Sequence, residues 1–241
     1  TDPGSWNRYS YVQGDPVNLI DPRGTNARGP IYYCDPDYEG ACVERVYIPY
    51  EPVGGGGAGG GVSPDPTVER WDSLSDGCKK GLTDALSVGK KTSAAAAARA
   101  RLAALDRAID YADTLMSVAE GTGIDWTMIA AIGIRETRFR NINQQGGYGV
   151  GVFQIDIGQN PSVTATQASD IAWAAQWAAN TLASNHAKLA SKHPNFDATQ
   201  LLQATAASWN LGPNGFTGNP GTIDVGSPGN NYGSNIVNLM D

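Results

Sequence analysis

Apolar positions change rhythm along this chain, and the change divides it. Leu102, Leu105, Ile109, Ala112, Met116 and Ala119 recur at alternating spacings of 3 and 4, which makes one helix face. Thr92 or Ser93 can cap that helix, and Gly121 and Gly123 can stop it. A shorter helical segment precedes it from about residue 66 to 86, with Gly77 and Gly81 as interruptions. Asp125 opens a second long helix that runs to about Phe139, and a third covers roughly residues 167–192. A fourth opens at Asp197, with Gln200 as its capping-box partner, and closes at Asn210. A last short helix ends the chain near Tyr232–Met240. Between the second and third helices lies NINQQGGYGVGVFQID, where Gly146, Gly147, Gly149 and Gly151 prevent helix. That stretch reads as a loop and small hairpin with GVFQI as a strand, so the predicted class is α+β, mostly α.

The front of the chain lacks this periodicity. Asp-Pro recurs at 2–3, 15–16, 21–22, 35–36 and 65–66, each pair favouring a turn over a helix. Strand-like pieces at 8–12 and 43–50 lie between them, and GGGGAGGG at 54–61 has the composition of a flexible linker. The expected division is a turn-rich segment with its linker up to residue 65 and a helical domain over 66–241.

Composition narrows the function classes. A formal charge of −7 argues against nucleic-acid binding, which needs clustered Lys and Arg. Residues 135–241 carry 5 basic and 6 acidic side chains, so the second half is nearly neutral and can approach an anionic polymer. No run reaches the roughly 18 apolar residues of a membrane span, and no basic-then-apolar leader begins at Thr1. If exported, the chain is then expected to be part of something larger or to use another machine. Three cysteines, Cys34, Cys42 and Cys78, are too few for a disulfide scaffold, although Cys34 and Cys42 are close enough for a loop staple.

The chemistry concentrates on the second helix, DWTMIAAIGIRETRF. Ile129, Ile132 and Glu136 share a stripe, and a carboxylate on an apolar face is costly when ionised. Its expected response is a raised pKa, which suits a general acid; the alternative is a helix-end Glu that simply sees solvent. Arg135 and Arg138 are expected to point elsewhere on the helix. After the Gly-rich turn the strand ends in a second carboxylate, Asp156, and two carboxylates flanking a cleft suit cleavage of a glycosidic bond. Gly149 and Gly151 are read as places where a polymer can approach the backbone. Trp173 and Trp177, four apart, read as core before they read as a sugar platform. His186 and His193 have no carboxylate spaced to complete a zinc site and read as solvated helix-end residues. VGKKT at 88–92 has Asp84 where a phosphate-binding loop requires Gly. No cofactor and no metal are expected.

Two stretches resemble known families. TDPGSWNRYSYVQGDPVNLIDPRG, residues 1–24, resembles the end of the repeat shell of Rhs-type polymorphic toxins, where a variable toxin domain follows. MIAAIGIRETRF, then GYGVGVFQID, then Ser208-Trp209-Asn210-Leu211-Gly212 and NNYGSNIVNLM resemble, in that order, goose-type lysozymes and soluble lytic transglycosylases over about residues 121–241. The resemblance implies a lysozyme-like fold and a muramidase acting on peptidoglycan. Glu136 matches the general acid, and Asp156 matches an acidic residue that goose-type enzymes carry after the strand. Gln145, Tyr148, Gln154, Trp209, Asn210 and Tyr232 are implied on the substrate side. One departure stands out: goose-type enzymes usually have another Asp before the Gly-x-Gly strand, and NINQQGG has none. Gln144 or Gln145 could hold a water there but neither is a base. Asp156 therefore favours hydrolysis, with the anhydro-forming transglycosylase reaction or a noncatalytic peptidoglycan-binding module as alternatives. The toxin resemblance implies secretion, action in the periplasm or wall of a target bacterium, and a cognate immunity protein as partner.

Overall fold

Side-chain caps set most of the helix starts. The computed structural model describes residues 31–34, 42–45, 66–86 and 92–241, and the chain divides into two units, Thr1–Gly61 and Val62–Asp241. In the first unit β1 (Ile31–Cys34) and β2 (Cys42–Arg45) pair antiparallel, with Ile31 opposite Arg45 and Cys34 opposite Cys42. The Asp-Pro turns, the strand expected at 8–12, residues 46–50 and the Gly-rich stretch 54–61 lie outside the described residues.

The second unit holds α1 (Pro66–Asp72), α2 (Asp76–Ala85), α3 (Ala94–Ile109), α4 (Ala112–Ala119) and α5 (Trp126–Thr137). A small hairpin of β3 (Gly149–Val150) and β4 (Ile155–Asp156) follows, then α6 (Ala165–Ser169), α7 (Ile171–Lys192), α8 (Ala198–Leu211) and α9 (Tyr232–Met240). The fold is thus mostly helical with a small antiparallel sheet directly after α5. Ser93 caps α3, Asp125 caps α5, and Asp197 with Gln200 forms a reciprocal capping box on α8. None of the helices among the described residues is long and apolar enough to cross a membrane.

Four expectations are corrected. The break in the 66–86 segment falls at residues 73–75, where Ser75 caps α2; Gly77 and Gly81 both lie inside α2. Those glycines permit close approach: a Cβ at Gly81 would sit 2.8 Å from the Leu239 backbone nitrogen, and one at Gly77 would run into Asp241. The long helix breaks at Asp110–Tyr111, and the break rotates its second half. Leu115 is fully buried while Met116 is 39% and Ile109 50% exposed, so the 3-and-4 stripe is not one packing face. The third helix also splits, because the Asp170 side chain accepts the Trp173 N–H and starts α7 there. Finally, Gly151 to Gln154 form the hairpin turn and only Ile155–Asp156 of the expected strand pairs. Gly151 has φ +77°, and a Cβ there would lie 2.0 Å from the Ala168 carbonyl, so it serves packing against α6 rather than polymer access.

The core is built around α5. Met128, Ile129, Ala131 and Ile132 are at or below 1% exposure, with the alanine face of α7 (Ala174, Ala175, Ala178, Ala179) and Ile236 of α9 against the same cluster. α9 in turn packs on α2, α8 and α5, which makes the C-terminal helix the wedge that joins the front and back of the domain.

Gly81 tests that wedge. Alanine would favour an isolated helix by about 1 kcal/mol, whereas overpacking a tight contact costs about 1–3 kcal/mol. Gly81→Ala is expected to lower the thermal midpoint; a higher midpoint would show that α2 and α9 do not meet this closely.

Candidate active site

Glu136 is brought to a cleft by the way α5 ends. Arg138 and Phe139 both adopt positive φ, 58° and 57°, which reverses the chain immediately after the helix. Burial of the Phe139 ring drives this unusual pair. The ring lies on Gly133, where a Cβ would come within 2.6 Å of it, and meets Phe153 edge-on at 6.1 Å. Thr137 locks the reversal to the hairpin, its hydroxyl donating to Val152 O at 2.8 Å and accepting from Arg140 N–H at 3.0 Å. Arg107 Nε reaches from α3 to the Arg138 carbonyl at 2.9 Å. The last turn of α5 therefore faces the hairpin with Glu136 between them.

The carboxyl of Glu136 has one direct partner among the described side chains: Tyr232 Oη donates to Oε1 at 2.5 Å. Tyr232 opens α9, is 2% exposed, and has its phenol pushed well above the ordinary range by burial and by the neighbouring Glu136, so it stays a donor. The Glu136 residue is half-buried by surface, but protein surrounds its carboxyl on most sides, and that surrounding governs titration. Desolvation raises its pKa, and the Tyr232 hydrogen bond and the charge of Arg135 oppose the rise without cancelling it. Arg135 does not pair with Glu136. Its guanidinium lies over the Tyr232 ring at 5.7 Å and donates to Asp84 O, Pro228 O, Asn231 Oδ1 and Asn235 Oδ1. The expectation that Arg135 is directed elsewhere is half right: its bonds are elsewhere, but its charge is felt.

Facing Glu136 is a cleft of about 600 Å³ lined by Ile142, Asn143, Gln144, Gln145, Gly149, Gln154 and Asp156. Asn143 bridges to Val150, so residues 142–144 run as a third arm beside the hairpin and carry the amides onto the cleft wall. Gln154, at φ 50°, is tied down by bonds from Nε2 to Ile142 O at 2.9 Å and Gly151 O at 2.8 Å. Asp156 Oδ1 accepts the N–H groups of Gly158 and Gln159, each at 2.9 Å, which fixes its orientation. Asp156 Oδ2 has no hydrogen bond to any described residue. One carboxyl is thus desolvated and the other is half-exposed and oriented by backbone donors, an arrangement able to hold a proton on one side and accept one on the other.

Of the residues expected here, Glu136, Gln145, Gln154 and Asp156 share the cleft. Tyr148 stands beside it, 66% exposed, with its ring against Gly158. Tyr232 is buried and bonded to Glu136, so it is a partner of that carboxyl rather than a sugar contact. Trp209 and Asn210 do not line this cleft. Trp209 meets Trp177 edge-on at 5.8 Å and packs on the core, as Trp173 and Trp177 do, while Asn210 is exposed at the end of α8. His186 shares a 3.0 Å hydrogen bond with Thr205 and His193 stacks on Phe196 at 4.9 Å, so both are packed rather than solvated. Thr137 and Asp224, whose roles depend on distant partners, went unread. For Asp224 the available signal was a carboxylate framed by Ile223 and Val225 in a Gly- and Asn-rich loop.

Burial of Glu136 has a cost that depends on pH. Below the ordinary carboxylate value of about 4.3 both folded and unfolded chains hold the proton and nothing is lost. As pH rises the unfolded chain ionises first, so folding stability falls until the raised folded-state pKa is passed. Glu136→Gln keeps the shape and the acceptor for Tyr232. It is expected to unfold at a higher temperature than wild type at pH 8 and at the same temperature at pH 4. An equal difference at both pH values would mean the carboxyl is not desolvated.

The lysozyme g family model matches residues 75–239. No curated protein matches the chain. The match spans α2 to α9, including Glu136, the hairpin, Asp156 and Tyr232, and by it the chain belongs to the goose-type lysozymes, glycoside hydrolases that cleave peptidoglycan.

Proposed function

We propose that the chain hydrolyses the β-1,4 bond between N-acetylmuramic acid and N-acetylglucosamine, with Glu136 as general acid and Asp156 as the base that activates water. The observation that carries this reading is the desolvated Glu136 carboxyl sharing one cleft with an oriented, half-exposed Asp156. A protonated Glu136 donates to the glycosidic oxygen as the bond breaks, and water entering from the Asp156 side attacks the anomeric carbon while its proton passes to Asp156. The amides of Gln144 and Gln145 supply neutral donors and acceptors suited to sugar hydroxyls and N-acetyl groups, and Gln154, whose two N–H donors are taken by Ile142 O and Gly151 O, adds its amide oxygen as an acceptor. Tyr148 offers an exposed ring for a sugar face.

The context proposed for this activity is an antibacterial effector. Support comes from the resemblance of residues 1–24 to the end of an Rhs shell, with 25–65 as spacer and 66–241 as the delivered domain. Such a protein is secreted, acts in the periplasm or wall of a competitor, and has an immunity protein that blocks the cleft.

Purified peptidoglycan digested with wild type, Glu136→Gln and Asp156→Asn, the products read by mass spectrometry, tests the chemistry. Wild type is expected to give reducing muramic ends, and Glu136→Gln to lose about 10²–10⁴-fold in rate. Asp156→Asn is expected to lose the hydrolytic product. Anhydro-muramic ends from wild type would move the enzyme to the transglycosylases and remove the role of Asp156. No cleavage by folded wild type would leave a binding module.

A further inference from the structure

α9 must present Tyr232 to Glu136, yet its own sequence does not cap it. Asn231, at the N-cap position, makes no side-chain bond to the helix, because its Oδ1 is occupied by Arg135 Nη2 at 3.2 Å. The first N–H groups of α9 are instead satisfied from outside the helix. Asp224 Oδ1 accepts Gly233 N–H at 2.5 Å, and Oδ2 accepts Ser234 N–H at 3.0 Å and Gln203 Nε2 of α8 at 2.8 Å. The Asp224 carbonyl accepts the Ser227 hydroxyl at 2.7 Å, and that hydroxyl oxygen accepts the Tyr232 N–H at 3.2 Å. Gly233 lets this cluster close, since a Cβ there would lie 2.4 Å from Gln203 O.

We propose that Asp224 is a positioning residue of the active site: by holding the start of α9 against α8 it fixes Tyr232 on Glu136. Asp224 is only 8% exposed, all three donors to its carboxylate are neutral N–H groups, and its direct and Ser227-mediated bonds converge on residues 232–234. A carboxylate at a helix N-terminus is favoured by the helix dipole, which adds to the grip of its hydrogen bonds. Loosening it lets α9 shift along its axis, and Tyr232 is the residue at that end.

This inference rests on Glu136 being the acid, and the test separates the two. Around Glu136 the described titratable or charged groups are Tyr232 from α9, Arg135 on its own helix and Asp156 on the lining of the same cleft. The Tyr232 hydrogen bond lowers the Glu136 pKa, so its removal raises it further. The experiment is a pH titration of the Glu136 carboxyl carbon by NMR, the signal assigned through its loss in Glu136→Gln. It is run on wild type, Tyr232→Phe, Asp224→Asn and the double variant, with peptidoglycan cleavage measured beside it. Tyr232→Phe is expected to move the midpoint up. Asp224→Asn should move it the same way by a comparable amount, and the double variant should add nothing to Tyr232→Phe alone. A midpoint unchanged in Asp224→Asn, with only a lower thermal midpoint, would overturn the proposal and leave Asp224 a fold residue; so would additive shifts. Should Asp224→Asn not fold, Gln203→Met removes one of the three donors, and an upward shift supports the proposal where none overturns it. Full cleavage by Glu136→Gln would sink the acid assignment while leaving the titration result standing.

Discussion

A carboxyl and a phenol that meet out of water govern the rest of this domain. Glu136 sits on the last turn of a mostly apolar helix, and desolvation is the largest influence on its proton. A carboxylate there surrounded by donors would stay ionised and be useless as an acid; one with no donor would be poorly oriented. Tyr232 supplies a single hydrogen bond, and its own burial prevents it from ionising to compete. Arg135 is near enough to undo the arrangement but donates to four carbonyl or amide oxygens and lies over the tyrosine ring. Those bonds hold the cation in place beside the acid without a direct ion pair, so desolvation prevails.

Meeting the phenol requires two helices distant in sequence to pack closely, and small residues make that possible. Gly81 admits the backbone of α9 onto α2, Gly233 admits the start of α9 onto α8, and Gly133 seats the Phe139 ring that turns the chain after Glu136. Each is an absence of a side chain at a contact, a kind of requirement that weakens the isolated helix and strengthens the assembly. The two positive-φ residues after α5 follow the same logic: local backbone cost is offset by burying Phe139 and by the Thr137 bridge to Val152.

Much of the fold was legible where the physics is local. Ser93, Asp125 and the Asp197–Gln200 pair cap helices because a short polar side chain reaches its own backbone, and α9 spans Tyr232–Met240 as its pattern implies. The break at Asp110–Tyr111 was not legible, since apolar spacing of 3 and 4 continues through it; only packing decides that Leu115 turns inward in place of Met116. In the hairpin, GVFQI alternates poorly, and the Gly151 turn is dictated by the Ala168 carbonyl seventeen residues on. At the site, Glu136 and Asp156 were expected together from the order of motifs in the lysozyme resemblance, and both line one cleft. Tyr232 was identified as relevant but assigned to sugar, because whether a phenol faces solvent or a carboxyl is settled by helices it meets only in three dimensions. Trp209 was lost to Trp177 for the same reason.

The absence of a carboxylate from NINQQGG bears on how the Glu136 carboxyl is tuned. Asn143, Gln144 and Gln145 line the cleft as neutral amides, and among the described residues only Asp156 joins Glu136 there as a carboxylate. Like charge is not among the causes that raise the Glu136 pKa; desolvation is the cause that raises it. A proton held by repulsion is released once the repelling group is neutralised, whereas one held by dryness is retained more firmly as water is expelled. A glycan strand filling an amide-lined cleft removes water without adding charge near the acid. On the proposed mechanism, substrate binding therefore strengthens the protonation that the reaction consumes, and neutral Gln and Asn side chains can form that wall without disturbing it.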